Sequence, residues 1–271
     1  LKHLRSQMNR KKIAVDVYRD SVSITHRHIL AVINTILKHE NICKDQKLIR
    51  ILDAGCGSGK MIYFLNKYLP LFNADKQFLI YGFDVLDHGV QQKDYEKTMF
   101  SYLDENAPEI DWANRVKMIN SDDAWPFENN TFDFVLSNQV LEHAWDHDHF
   151  FREHARVLSG KGFGIHLFPF KGVVIDWHVC LPRVHKLNNW DAVYKKIRFY
   201  TKIGVSIRYN QNKSGYNNDI DNFSRIWADK IYHYCNYQTF KELSKSAKTS
   251  HLSITTRFTF NFYWRKFREI L

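Results

Sequence analysis

From Leu48 to Phe170, short apolar runs alternate with longer stretches whose apolar residues recur every three to four positions. "KLIRILDAG" has the pattern of a buried strand ending in Asp-Ala-Gly. "SGKMIYFLNKYL" sets Ile62, Leu65 and Leu69 at helical spacing, with Pro70 as the expected stop. "KQFLIYGFDV" predicts a second strand, "HGVQQKDYEKTMFSYLDEN" a helix and "NRVKMINSDD" a third strand. After a turn at "FENN", "TFDFVLSN" predicts a fourth strand. "DHDHFFREHARVL" puts Phe150 or Phe151, Ala155 and Leu158 on one helical face, and "SGKG" supplies glycines for the exit. "FGIHLFPF" is a fifth strand. Strands separated by helices of this length imply βαβ units, a parallel sheet and right-handed crossovers. Such sheets bind ligands at the carboxyl ends of their strands.

The flanks read differently. Residues 1–47 are mostly helical in pattern ("RHILAVINTILKH") and are expected to cover one side of the sheet. Beyond Lys171 the rhythm breaks, with Pro182, many aromatics and the polar loop "NQNKSGYNND". Residues 171–222 are read as an inserted lid over the ligand end, and 48–170 as the core. In 223–271, "NYQTFKELSKSA" predicts a capped helix. "SITTRFTFNFYW" alternates like a long strand and is expected to complete the sheet in antiparallel sense.

The chain has 271 residues and an ordinary globular composition, 44% hydrophobic and 25% charged. No run of about 18 uncharged apolar residues predicts a transmembrane helix. The basic opening "LKHLRSQMNRKK" leads into no apolar secretory core, which argues against a signal peptide. Cys43, Cys56, Cys180 and Cys235 are scattered without CxxC spacing. Reduced thiols in a cytoplasmic protein are therefore expected. The net charge of +10 is uneven. Residues 28–170 hold 14 basic and 20 acidic side chains, whereas 171–213 hold 9 and 2. A basic rim around an acidic centre suits an anionic acceptor, a nucleic acid or peripheral contact with a membrane surface; an ordinary solvated surface explains it equally.

The densest chemistry lies in "ILDAGCGSGK". A strand delivers Asp53 to its carboxyl end, and Gly55, Gly57 and Gly59 let the backbone turn sharply against a ligand. The helix that follows points its positive dipole end at the same place. The phosphate-cradling pattern GxxxxGK[ST] is absent, because Met61 follows the lysine. The dinucleotide fingerprint GxGxxG fails too, since the third glycine comes one residue early. An acid at this position suits a ligand with an ammonium group better than one with a pyrophosphate.

"ILDAGCGSGK" resembles the first motif of class I S-adenosylmethionine-dependent methyltransferases. "YGFDV", "NSDDAWPFENNTFDFVLSNQVLEH" and "FFREHARVLSGKGFGIHLFP" resemble, in order, that family's later blocks in its small-molecule (methyltransferase domain 11-like) group. The resemblance covers 48–170 strongly and 236–260 weakly. It implies an α/β, Rossmann-like doubly wound fold: a mostly parallel seven-stranded sheet with helices on both faces and the inserted lid. It implies S-adenosyl-L-methionine as cofactor. The cofactor residues it implies are Asp53, Ala54, Gly55, Cys56, Gly57 and Gly59 in the first strand and loop, and Asp84 with Val85 at the ribose. Asp122 or Asp123 would meet the adenine, with Ala124 and Trp125 alongside, and Asn138 at the end of the fourth strand completes the cofactor-binding set.

The expected reaction is direct displacement at an activated methyl group, with alignment as the main task. The acceptor is read as a small molecule or glycan, methylated on oxygen. His143, at the end of "SNQVLEH", is the leading candidate base, followed by His166 and His178. "HAWDHDHFFREH" places His143 and His147 four apart, but HExxH order is missing and no metal site is assigned. Two rival readings stand beside this one. The basic ends suit an RNA methyltransferase, though no [DN]PP[YF] tetrad follows the fourth strand. The fold also serves as a catalytically silent, cofactor-binding scaffold in principle.

Overall fold

The structure, a computed structural model, describes residues 12–40, 46–88 and 94–270. Expectations for 1–11, for Cys43 and for the first residues of the helix begun at "HGVQQKD" lie outside the described residues. Residues 12–20 form helix α1. Next come α2 (Ile24–His39), β1 (Leu48–Ala54), α3 (Lys60–Phe72), β2 (Gln77–Val85), α4 (Tyr95–Asn106), α5 (Trp112–Arg115) and β3 (Val116–Ile119). β4 (Phe132–Asn138), α6 (His147–Val157) and β5 (Leu158–Leu167) finish the core. The strands pair in the order β3-β2-β1-β4-β5, all parallel.

β1 is central because both of its faces are apolar. Ile49 and Ile51 join the cluster formed with α2, α3, α4 and α5, while Leu52 and Ala54 face the cluster formed with α6 and a later helix, α10 (Phe240–Thr249). Ile49, Ile51 and Leu52 are fully buried. Each such side chain contributes about 1.5–3 kcal/mol relative to exposure. From β1 the chain winds to β2 and β3 on one side, then returns to β4 and β5 on the other. The carboxyl ends of β1 and β4 are therefore the switch point where a crevice opens.

The region after Phe170 builds a third core. β6 (Ile175–Asp176) and β7 (Leu181–Pro182) pair antiparallel, and a 3-10 turn spans Val184–Lys186. α7 (Trp190–Lys202), α8 (Ile207–Gln211) and α9 (Ile220–Tyr234) follow. Val193 and Ile197 of α7 bury against Phe223, Trp227 and Ile231 of α9. The boundary expected at 222 thus falls inside α9. The segment after α9 is tied to the core: the Asn236 amide donates to the Glu142 carbonyl at 2.6 Å and the Lys171 amide to the Gln238 carbonyl at 2.8 Å.

Several expectations need correction. The sheet has five strands among the described residues, not seven, and none is antiparallel to it. "SITTRFTFNFYW" is not a strand: Thr259–Ile270 form helix α11. The alternation Phe258, Phe260, Phe262 mimics period two, but Phe260, Tyr263, Trp264 and Phe267 also fit a helical face. Tertiary contacts decide for the helix, since Phe262 packs on His28 of α2 at 5.3 Å and Arg27 pairs with Glu269. α3 continues two residues past Pro70, which sits in its last turn. The glycines of "SGKG" do not form an exit turn. α6 passes directly into β5 at Leu158, which is already extended, and Gly160 and Gly162 lie within that strand. Of the four cysteines, Cys56, Cys180 and Cys235 are described, and all three are free thiols.

Candidate active site

A cavity of about 570 Å³ opens at the carboxyl ends of β1, β2 and β4. That volume suits a small ligand or cofactor. Its floor is the turn after β1. Gly55, Gly57 and Gly59 all have positive φ, at 78°, 52° and 71°. A side chain at Gly55 would also collide with Val140, whose Cγ2 stands 2.5 Å from the would-be Cβ. The amides of Gly55 and Cys56 both donate to the Phe83 carbonyl, at 2.9 and 3.0 Å, which clamps the loop onto β2.

Two carboxylates flank this loop. Asp53 is 2% exposed, and its Oδ1 has no hydrogen-bond partner. Burial, with the nearby charge of Asp84, pushes its carboxyl up to about 8. Asp84 accepts from the Gly57 amide and, at 2.7 Å, from the Val85 amide. Burial raises its pKa as well, and those two bonds oppose the rise. Each carboxylate has about four acceptor positions, so both acids retain capacity facing the cavity.

The third wall is the stretch after β3. Asp122 lines the cavity, whereas Asp123 turns back and accepts from the Asn120 amide at 2.8 Å. Gly59, Asp123 and Ala124 do not line the cavity; Ala54, Cys56, Val85 and Asn138 do. The indole of Trp125 joins the wall and packs on Phe83 at 4.7 Å. Glu153 and Arg156 of α6 hold this stretch in place. Glu153 accepts from the Trp125 amide at 2.7 Å, and Arg156 donates to the Trp125 and Phe127 carbonyls at 2.8 and 2.7 Å. The two side chains also pair with each other at 2.7 Å.

Opposite the acids stand histidines. His143 lines the cavity in the turn after β4. Its Nδ1 is 2.6 Å from the Tyr234 carbonyl and so carries the proton, which leaves the lone pair on Nε2. Burial pushes its pKa down to about 4, so the ring is neutral at pH 7. His88 lines the cavity too and donates from Nε2 to the His143 carbonyl at 2.7 Å. His178 stands behind His143, with ring centroids 5.3 Å apart, and does not line the cavity. His166 points elsewhere. Its Nδ1 is 2.8 Å from Ser137 Oγ, and its ring packs against Phe150 and His154. His147 and His149, the other histidines of the i, i+4 pattern, contact the Leu141 and Asp123 carbonyls instead of one another. Trp125, expected beside the adenine acid, lines the cavity; sequence reasoning missed His88 and His26 as wall residues, because no spacing rule links them to the loop.

Residues 52–166 match the methyltransferase domain family. A probable S-adenosylmethionine-dependent methyltransferase of Mycobacterium tuberculosis, Rv3030, is 30% identical over 117 residues. The segment 52–166 is thus similar to methyltransferase domains. The methyltransferase match covers 41% of this chain and 32% of the mycobacterial protein, so the matched part spans about a third of that relative. The YcgJ protein from Bacillus subtilis is 15% identical, with 83% of this chain and 68% of that chain covered and a TM-score of 0.46. A geranyl diphosphate methyltransferase solved with S-adenosylmethionine is 15% identical, with 82% and 64% covered and a TM-score of 0.42. Scores this low carry no argument about the acceptor. The mycobacterial relative's name gives S-adenosylmethionine as its cofactor. The site fits it on two observations independent of any relative: a buried carboxylate oxygen without a partner, and a loop whose backbone excludes side chains. No helix among the described residues is long and apolar enough to cross a membrane.

Proposed function

We propose that the protein transfers the methyl group of S-adenosylmethionine to an oxygen of a small-molecule or glycan-like acceptor. The observation that carries this reading is the convergence of Asp53, the glycine loop, Asp84 and Asp122 on one cavity whose far wall holds neutral His143. When bound, S-adenosylmethionine supplies a methyl group already activated on a positively charged sulfur. Asp53, backed by the loop from Ala54 to Gly57, takes the amino-acid ammonium. Asp84, beside Val85, accepts from the ribose hydroxyls. Asp122 accepts from the adenine amino group, and Trp125 offers it an apolar surface. Asn138 ends β4 between the two halves of the cavity.

The acceptor enters against His143 and His88; no residue of 171–222, the segment expected as a lid, lines the cavity. In the transfer, the oxygen–methyl bond forms as the sulfur–methyl bond breaks, and the hydroxyl proton leaves the acceptor. Neutral His143, with its lone pair on Nε2, receives that proton. Such positioned proton transfer contributes about 10²–10⁴-fold in rate.

Calorimetric titration with S-adenosylhomocysteine tests the cofactor half: binding is expected in the wild type and loss in Asp53→Ala. Equal binding in both proteins, or none in either, removes the reading. Radiolabelled methyl transfer to fractionated small molecules, glycans and RNA then assigns the acceptor. Incorporation into RNA alone would overturn the small-acceptor reading.

A further inference from the structure

We propose that His143, His178 and Cys235 form a binding site for a divalent late transition-metal ion of the zinc type, set in the acceptor-side wall of the cavity. One nitrogen from each histidine and the Cys235 Sγ all lie within 4.8 Å of one another. Drawing them onto a common ion at zinc–nitrogen and zinc–sulfur distances takes a shift of roughly half an ångström per ligand. The three residues come from three separate segments: the turn after β4, the β6–β7 hairpin and the end of α9. No sequence spacing announces such a set.

The surroundings are those of a metal site. His178 Nδ1 faces Asp176 Oδ1 at 3.3 Å and Tyr237 Oη at 2.7 Å. The carboxylate takes the Nδ1 proton and leaves Nε2 as the donor, the arrangement that orients metal-bound histidines. His143 Nδ1 stands 2.6 Å from the Tyr234 carbonyl and 3.8 Å from Cys235 Sγ. Asp176 is 1% exposed, with His185 Nδ1 at 3.4 Å on its other oxygen.

A buried, unpartnered acid lies next to this set. Glu142, next to His143, is 1% exposed, and neither carboxylate oxygen has a hydrogen-bond partner. Buried acids without compensation are costly. A divalent ion here offsets that cost and favours the thiolate that binds it. Two nitrogens and a sulfur select zinc-like ions over magnesium or calcium, which prefer oxygen ligands. Three protein ligands leave the fourth tetrahedral position open, as in catalytic rather than structural zinc. Because His143 lines the cavity, an acceptor hydroxyl is the group suited to that position. A hydroxyl held there would lose its proton to solvent more readily, and its oxygen would bond to the methyl carbon as the sulfur–methyl bond breaks. This last role rests on the proposed function; the binding site does not.

The test uses the full chain freed of metal by chelator. Zn²⁺ is titrated against a chromogenic chelator, and Co²⁺ is added to look for the sulfur-to-cobalt charge-transfer band. One equivalent per chain is expected, with a band that Cys235→Ser abolishes and Cys180→Ser leaves intact. Cys235→Ser is expected to weaken Zn²⁺ binding at least 100-fold while S-adenosylhomocysteine still binds. Asp176→Asn keeps all three ligands and is expected to weaken Zn²⁺ binding 10–100-fold, and it serves if Cys235→Ser fails to fold. Absence of stoichiometric Zn²⁺ binding, a cobalt band that survives Cys235→Ser, or unchanged affinity in Asp176→Asn overturns the proposal. Zn²⁺ binding without S-adenosylhomocysteine binding would sink the methyltransferase reading and leave the metal site standing.

Discussion

Asp53 gives the sharpest quantitative test of the site. In the free protein its carboxyl is pushed up to about 8, so it is mostly protonated at neutral pH. An ammonium group placed against it favours the ionised form, so cofactor binding must expel a proton. The sign follows directly: the free-state pKa lies above the bound-state pKa, and affinity therefore rises with pH until about 8. With a free-state pKa of about 8, roughly 1% of the acid is ionised at pH 6 and about a quarter at pH 7.5. S-adenosylhomocysteine should then bind roughly 20-fold more tightly at pH 7.5 than at pH 6. Calorimetry in buffers of different ionisation enthalpy should show about one proton released per ligand near pH 6. His26 and His143 in the cavity wall are held by burial at about 4 and stay neutral across this window. His88, His149 and Asp84 also face the cavity, so the Asp53→Asn control is what isolates the effect. Asp53→Asn should give an affinity independent of pH, weaker than wild type at pH 7.5 by about 2–3 kcal/mol and converging on it toward pH 6. A flat wild-type profile, or an identical slope in Asp53→Asn, would refute the assignment of Asp53 to the ammonium.

Three other substitutions probe the frame around that acid. Gly55→Ala meets both a positive φ of 78° and Val140 at 2.5 Å, so it should cost about 1–3 kcal/mol in thermal unfolding and weaken cofactor binding. Adding Val140→Ala should recover only the packing share. Asp122→Asn should weaken S-adenosylhomocysteine binding with little change in melting temperature. Asp123→Asn, which touches the Asn120 turn rather than the cavity, should do the reverse. Arg156→Ala leaves the Trp125 and Phe127 carbonyls and buried Glu153 without their partner, and should lower stability by about 2–4 kcal/mol in chemical denaturation.

The core and the glycine turn that floors the cavity were legible because they are written in local sequence. A strand, a glycine turn and a helix sit next to one another, and the apolar alternation of Ile49, Ile51 and Leu52 predicts two buried faces. The choice between Asp122 and Asp123 was not legible, since both have the same chemistry and only the turn at Asn120 separates them. Helix α11 was misread because aromatic residues at 258, 260 and 262 satisfy a two-residue and a helical period over so short a stretch. What decided it was a partner more than 200 residues away in α2. The acceptor wall failed for the same reason. Glu142, His178 and Cys235 are brought together only by the packing of the 234–238 segment on the turn after β4. His178 and Asp176 were visible as a histidine-bearing stretch, but their neighbour Cys235 looked like any scattered thiol.

The two halves of the cavity differ in charge, and the proposed reaction needs that difference. Methyl transfer removes the positive charge from sulfur and requires the acceptor to shed an equal one as a proton. Acids are therefore useful where the unreacting ammonium and ribose sit, and a cationic side chain at the acceptor end would oppose the step. Burial of His143 removes that opposition by keeping the ring neutral. A zinc-type ion at His143, His178 and Cys235 meets the same requirement differently, because the hydroxyl gives up its proton before the methyl moves. The pH dependence of turnover separates the two routes. With His143 as proton acceptor, turnover at saturating S-adenosylmethionine should depend on a group with pKa about 4, stay level above pH 5 and survive chelator. With the ion in place, activity should disappear with chelator and return with Zn²⁺.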